Sequence, residues 1–232
     1  VAFATTALLE ASIMKTQGAS IDLSEQYVFY VARLNDPDLS EDGTYPNYAL
    51  DGLQQRGACA EWLWPYNPYD DWGQALTFST PTRRVSVLDA DAQRHRIAGY
   101  SSLTPTDVQA LKQALADGNP VAIGVAFFNK AWFNHFTDST GEVLMPITRA
   151  RAEGTETLYD TIDGGHEILL TGYHDTPDEN DVANYRPGGG YFDFKNSWGT
   201  DWARANLNGW PGFGRLPYAY VAKYNTDASV IT

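Results

Sequence analysis

His166-Glu-Ile-Leu-Leu-Thr-Gly-Tyr173 and Gly190-Tyr-Phe-Asp-Phe-Lys-Asn196 are two apolar and aromatic runs that read as β-strands. A polar stretch containing Asp178, Glu179, Asn180 and Asp181 joins them, as expected for an antiparallel hairpin. Residue 181 lies midway between His166 and Asn196, so a hairpin folded there sets the two side by side at its open end. Opposed residues of a hairpin hold their Cβ atoms roughly 4.5–5.5 Å apart. An imidazole next to an amide oxygen has a fixed tautomer and orientation, which is what a proton-transferring histidine needs. The pairing by itself leaves a plainer alternative open, a half-exposed histidine at the start of a strand.

Outward from the hairpin, the spacing predicts a strand over 97–103 and a helix over 104–115 with Thr104 as its cap and Pro105 at its first position. A buried strand is expected over 120–128, polar irregular chain with some pairing over 129–163, and a last strand over 218–224. The first 95 residues read as helix and loop. Residues 1–16 form a central helix, apolar on most sides and closed by Gly18. A second helix starts at the capping residues Asp22-Leu-Ser24 and runs to Arg33, and a third runs from Tyr45 to Arg56, closed by Gly57. The aromatic and proline-rich segment Trp62–Trp72 reads as packed irregular chain. The expected class is therefore α+β, with a helical lobe over 1–95 and a β-rich lobe over 96–232 carrying His166 and Asn196.

Composition excludes several functions. The 232 residues are 43% hydrophobic and 13% aromatic, which excludes a disordered chain. No apolar run approaches the roughly 18 residues of a membrane-spanning helix. Sixteen basic against 29 acidic residues give a formal charge of −13, and such a surface repels phosphate backbones, so no nucleic-acid partner is expected. The single cysteine, Cys59, can make neither an internal disulfide nor a thiolate zinc site, and reads as a buried small hydrophobe. Asp175, Asp178, Glu179 and Asp181 lack EF-hand spacing, and Gly188-Gly189-Gly190 lacks the lysine and helix of a phosphate loop. No metal and no cofactor is called for. His95 between two arginines reads as surface, His135 among Trp132, Phe133 and Phe136 as partly packed, and His174 as turn.

Gly164-Gly165-His166-Glu167-Ile-Leu-Leu-Thr-Gly-Tyr173 and Lys195-Asn196-Ser197-Trp198-Gly199-Thr200-Asp201-Trp202 together resemble the histidine and asparagine segments of the papain-like cysteine peptidases. The second string is highly specific. The resemblance runs in order along nearly the whole chain: Val1-Ala2-Phe3-Ala4, Leu23-Ser24-Glu25-Gln26, Gly43-Thr44-Tyr45-Pro46 and Trp64-Pro65-Tyr66 are similar to the family's successive segments.

The resemblance implies a two-lobe fold with a β-barrel-like second lobe and a cleft between the lobes. It implies His166 and Asn196 as catalytic residues, and Gly43, Thr44, Tyr45, Gly165, Glu167 and Trp198 as substrate-binding residues. The nucleophilic cysteine would immediately precede Val1. A thiolate there would sit at the N-terminus of a buried helix, whose partial positive charge favours it. Trp198 would shield the His166–Asn196 hydrogen bond, and Glu167 would favour a basic substrate side chain. Thr44 stands where the family often has Gly, and Val1 where it usually has Trp.

The family's upstream glutamine and its disulfide cysteines are absent from the sequence, and the resemblance is closest to bacterial members. Implied partners are a peptide or protein substrate and a pro-segment or protein inhibitor in the cleft of a monomeric enzyme. A secreted or periplasmic setting fits the acidic composition. The abrupt apolar start at Val1 reads as a cut N-terminus, and it lacks the basic region and cleavage site of a signal peptide. Without the nucleophile, the printed residues are not expected to hydrolyse peptides. The alternative is a papain-fold module that only binds peptides or a partner.

Overall fold

Nothing in the side chain of Val1 can cap the helix that follows it, so that helix must be held by what it buries. In the computed structural model α1 spans Ala2–Gln17, and Val1 makes no side-chain capping bond. Ala2, Ala4, Ala7, Leu8, Leu9 and Ile13 are buried. Each leucine or isoleucine contributes about 1.5–3 kcal/mol by leaving water. Gly18, at φ 66°, closes the helix by donating to the Met14 carbonyl at 2.9 Å. The structure describes residues 1–40, 43–67, 84–150, 156–158, 160–176, 187–206 and 208–232. Pro68–Trp72 of the expected irregular segment, and Asp178, Glu179, Asn180 and Asp181 of the hairpin loop, lie outside these residues.

Helix α2, Glu25–Asn35, starts where Ser24 Oγ accepts the Tyr27 N–H at 3.0 Å. Helix α3, Pro46–Gln55, has Tyr45 at its N-cap and Pro46 in its first turn, where a missing N–H costs nothing. Leu23, Val28, Ala32, Ala49 and Leu53 share one core with Leu9 and Ile13. Gly57, at φ 85°, is required: a Cβ there would lie 2.0 Å from the Ala92 carbonyl oxygen at the end of α4, Val85–Ala92. Cys59 is fully buried with Tyr27, Val31, Leu63, Trp64 and Leu88. Burial, reinforced by Asp91, pushes its thiol up to about 12.

The chain forms two compact units, Val1–Ser101 with Val230–Thr232, and Ser102–Ser229. The division therefore falls a few residues beyond the expected 95/96 boundary, and the last three residues return to the first unit. Where the chain passes between units, the strand expected over 97–103 is only β1, Tyr100–Ser102. The next elements are α5 (Val108–Ala116), β2 (Val121–Phe128), α6 (Asn129–Trp132), α7 (His135–Thr140), β3 (Thr148–Ala150) and β4 (Glu156–Leu158). They are followed by β5 (Ile162–Asp175), β6 (Gly190–Lys195), β7 (Phe213–Pro217), α8 (Tyr218–Tyr224) and β8 (Asn225–Ile231).

Six strands form one sheet in the order β1-β8-β2-β5-β6-β7, with β2, β5, β6, β7 and β8 joined by antiparallel pairings. Strand β2, buried along nearly its whole length, is the centre on which β5 and β8 are laid. Among the described residues no helix is long and apolar enough to cross a membrane.

Three expectations are corrected. The cap of α5 is Asp107, whose Oδ1 accepts from both Gln109 N and Ala110 N at 3.0 Å. Thr104 and Pro105 instead form the turn before it, closed by Asp107 N to Thr104 O at 3.1 Å. A carboxylate holding two orphan donors defines the stronger start. The stretch 129–163 contains α6, α7 and the small β3–β4 pair. Residues 218–224 are helical, and the last strand follows them as β8. Their tyrosines and valine suit a strand, yet Tyr220 and Tyr224 also sit one helical turn apart, with ring centroids at 5.3 Å. Pro217 presets the helix entry, and packing of Tyr220 in the core overrides β-propensity.

Candidate active site

Strand β5 delivers His166 to the sheet opposite Val125, with Gly165 opposite Ala126 and Glu167 opposite Gly124. The register slips between Ala126 and Phe128, so that Asp163 and Gly164 both lie opposite Phe127. Gly164 takes φ 104° in this bulge, a conformation an L-residue adopts only under strain. The bulge re-aims the strand immediately before the histidine. A Cβ on Gly164 would meet nothing within 4 Å, and one on Gly165 only the Val125 carbonyl oxygen at 4.0 Å, so the chain beside His166 is bare and open.

His166 Nε2 lies 2.9 Å from Asn196 Oδ1. The Ser197 backbone N–H donates to the same Oδ1 at 2.8 Å. A backbone N–H can only donate, so the shared atom is the amide oxygen and Nε2 must carry the proton. Nδ1 is thereby the nitrogen left for chemistry. Asn196 is anchored by its own N–H to the Gly212 carbonyl at 3.0 Å and is buried.

The juxtaposition is not the direct cross-strand pairing expected from the hairpin. Leu169 pairs with Lys195, and a slip between Leu170 and Gly172 shifts the ladder by one residue. Extending that register past the end of β6 would set Ile168 against Asn196 and His166 against Trp198. The His166–Asn196 bond is therefore made by side-chain reach, and Trp198 covers the imidazole.

That cover is aromatic on several sides. The indole of Trp198 stacks on the imidazole at 5.2 Å and 26°. Trp132 and Phe127 meet the ring edge-on at 5.3 Å and 5.7 Å. Phe133 stacks on the other aromatic surface available to it, Trp198, at 5.6 Å and 18°. Trp202 supports Trp198 edge-on at 5.5 Å. Trp132 is itself fixed: its Nε1–H donates to Tyr220 Oη at 3.0 Å, and Tyr220 donates to the Ala126 carbonyl at 2.6 Å. Loss of water around the ring pushes the His166 pKa down from 6.5 to about 4, against the opposing effect of the Asn196 bond. By itself the imidazole is thus a neutral ring with an available Nδ1 lone pair at neutral pH.

The residues singled out in the sequence divide between the units. His166, Asn196, Trp198, Gly165 and Glu167 gather in the second unit, with Glu167 buried. Gly43, Thr44 and Tyr45 belong to the first. There the Gly43 carbonyl accepts from the buried Arg33 Nη1, itself 3.3 Å from Asp36 Oδ2, and Tyr45 is exposed. His174 is strand, not turn, and lies 3.0 Å from Asp193 Oδ2. His135 is exposed, and His95 Nδ1 contacts the Ala58 carbonyl at 2.9 Å. Phe127, Trp132, Phe133 and Tyr220 escaped the sequence reading as site residues. The available signal was the aromatic density of 127–136 next to a strand that pairs with the histidine strand. Among the described residues no cluster of His, Cys, Asp or Glu could hold a metal ion.

The profile of the papain family cysteine proteases matches residues 1–215. The chain belongs to that family. Among curated proteins it is similar to Peptidase 1 of Euroglyphus maynei, 25% identical over 204 residues, covering 87% of this chain and 50% of the relative. The chain thus spans about half the length of the curated relative it matches. Among solved structures it is similar to xylellain, a cysteine protease from Xylella fastidiosa, with a TM-score of 0.74 and 25% identity over 100% of this chain and 78% of the other. Digestive procathepsin L 3 of Tenebrio molitor larval midgut shares the fold, with a TM-score of 0.66 and 20% identity over 100% of this chain and 62% of that one. The architecture is the α+β two-lobe fold of papain family members.

Proposed function

We propose that this chain is the catalytic unit of a cysteine peptidase that hydrolyses peptide bonds. The reading is carried by one observation, the Nε2–H of His166 held on Asn196 under a stacked tryptophan. A thiol nucleophile, placed by the family resemblance just ahead of Val1, completes it. A helix start such as that of α1 directs backbone N–H groups and a partial positive charge outward, which would stabilise a thiolate and help hold an oxyanion.

In the first step the thiolate adds to the substrate carbonyl. The imidazolium Nδ1–H then gives its proton to the departing amine as the C–N bond breaks, leaving a thioester. Water attacks the thioester, Nδ1 takes its proton, and collapse to the carboxylic acid restores the thiolate–imidazolium pair. An opposed thiolate raises the pKa of the His166 imidazole, which burial alone holds low. Asn196 orients the ring, and Trp198 keeps water from their hydrogen bond. Gly43, Thr44 and Tyr45 bind the extended substrate backbone, the bare chain at Gly165 lets it approach, and Glu167 favours a basic side chain in the adjoining subsite. The enzyme acts as a monomer without cofactor, and a pro-segment or protein inhibitor would occupy the site that takes the substrate.

The test uses the full chain, including residues ahead of Val1. Expected are thiol-dependent cleavage of peptides, its loss after alkylation by an epoxide reagent, and a preference for basic residues that Glu167→Gln weakens. A chain that alkylates stoichiometrically yet cuts no peptide would end this reading.

A further inference from the structure

Arg33 is only 1% exposed, and a buried guanidinium is costly unless its charge is answered. Two groups answer it at the end of α2. Nη1 lies 3.3 Å from Asp36 Oδ2, and it donates to the backbone carbonyl of Gly43. Nε and Nη2 are buried as well and meet no acceptor, so the Gly43 carbonyl takes a large share of the charge. Two residues on, Asn35 Nδ2 donates to the Tyr48 carbonyl at 3.2 Å, in the first turn of α3. The short run Gly43–Tyr45 is thus pinned before and after by polar side chains from one helix end, all within the first unit.

The Gly43 carbonyl and the Thr44 N–H are the two ends of one peptide group. A charged donor on the carbonyl draws electron density through the amide and strengthens the N–H as a donor. That N–H donates to no described residue. A packing role alone would be met by an apolar side chain, without the desolvation of a charge. We infer that Arg33 is a positioning residue, resting on the peptidase reading above: it fixes and polarises the Gly43–Thr44 peptide so that the Thr44 N–H donates to a backbone carbonyl of the extended substrate. Arg33 itself touches no substrate and acts through this one peptide group.

The experiment uses the full chain with its nucleophile and compares two substrates. One is a fluorogenic hexapeptide; the other is p-nitrophenyl acetate, which acylates the thiolate but carries no peptide group for Thr44. The peptide-to-acetate ratio of kcat/KM should fall about tenfold in Arg33→Gln, the scale of one good hydrogen bond, with the loss carried by KM. Arg33→Lys keeps the charge and a donor, and should restore the ratio to within about threefold. Arg94→Gln removes an arginine whose side chain is 74% exposed and should leave the ratio intact. A merely structural role would lower both substrates together and leave the ratio where it was.

A second measurement needs no variant. In the wild-type chain, esters replace the peptide bonds on the acyl side of the scissile bond one at a time, which weakens each carbonyl as an acceptor. One position should lose about tenfold in kcat/KM. An unchanged ratio in Arg33→Gln, a lysine variant no better than the glutamine one, or no loss at any ester position would overturn the assignment while leaving the peptidase reading standing. If epoxide alkylation proceeds but the hexapeptide is not cut, the peptidase reading fails and takes this inference with it.

Discussion

Strand β5 carries two histidines, and they live in opposite surroundings. His166 faces three rings and an amide, and its imidazole is held near 4 by loss of water. His174 is 57% exposed at its side chain, stacks on Tyr191 at 5.1 Å and lies 3.0 Å from the Asp193 carboxylate. One strand supplies both positions; what covers them decides their chemistry. A carboxylate beside a half-exposed imidazole makes a surface contact, worth about 0–1 kcal/mol. An amide partner beneath aromatic rings instead fixes a proton on one nitrogen and frees the other.

The contrast can be broken by mutation. His166→Ala should lower kcat/KM of the full chain by about 10²–10⁴-fold, the range for loss of a general acid–base group. His174→Ala should stay within about twofold, as a surface pair away from the reacting atoms would. Comparable losses in the two variants would erase the distinction. Asn196→Ala leaves the ring in place but free to turn, so kcat should fall about 10- to 100-fold with KM little changed, as for misplacement of a reacting group.

The fixed wall of the His166 side can be tested through stability. Tyr220→Phe keeps the packing but removes the acceptor of the Trp132 indole N–H, leaving a buried donor unpaired. Urea unfolding should register a loss of about 1–3 kcal/mol. A change indistinguishable from zero would mean that the indole does not depend on Tyr220.

Acid sharpens the comparison further. With the nucleophile capped, the unfolded chain protonates His166 near 6.5 while the folded chain resists until about 4. The unfolded state therefore binds more protons between those values, and this contribution to stability is lost as pH falls through the window. His166→Gln should remove that part of the pH slope; equal slopes in wild type and His166→Gln would refute it. The smallest expected effect is the cost of His174→Gln at neutral pH, no more than about 1 kcal/mol by urea unfolding, as for an exposed side chain.

Much of the fold was legible where local chemistry is strong. Gly18 and Gly57 end helices because they adopt positive φ, and Ser24 starts one because its oxygen meets a free N–H. The His166–Asn196 contact was legible as a neighbourhood, but not in its register. A one-residue slip in β5 is a tertiary compromise that strand periodicity does not encode. Residues 218–224 misled because tyrosine and valine favour strands, whereas the Pro217 entry and the burial of Tyr220 select the helix. The aromatic cover around His166 was equally opaque: Trp132 and Phe133 sit in a stretch with no clear period, and their partners come from β2, α8 and the turn after β6.

Cys59 has a consequence for chemistry done on this protein in the test tube. Its thiol is fully buried and pushed up to about 12, so at neutral pH it offers almost no thiolate to an electrophile. A soft alkylating reagent applied to the folded protein should therefore leave Cys59 unlabelled. Denaturant would then release a further equivalent from these residues. The fraction of Cys59 that labels before denaturant is added becomes an internal tally of how much of any preparation is unfolded.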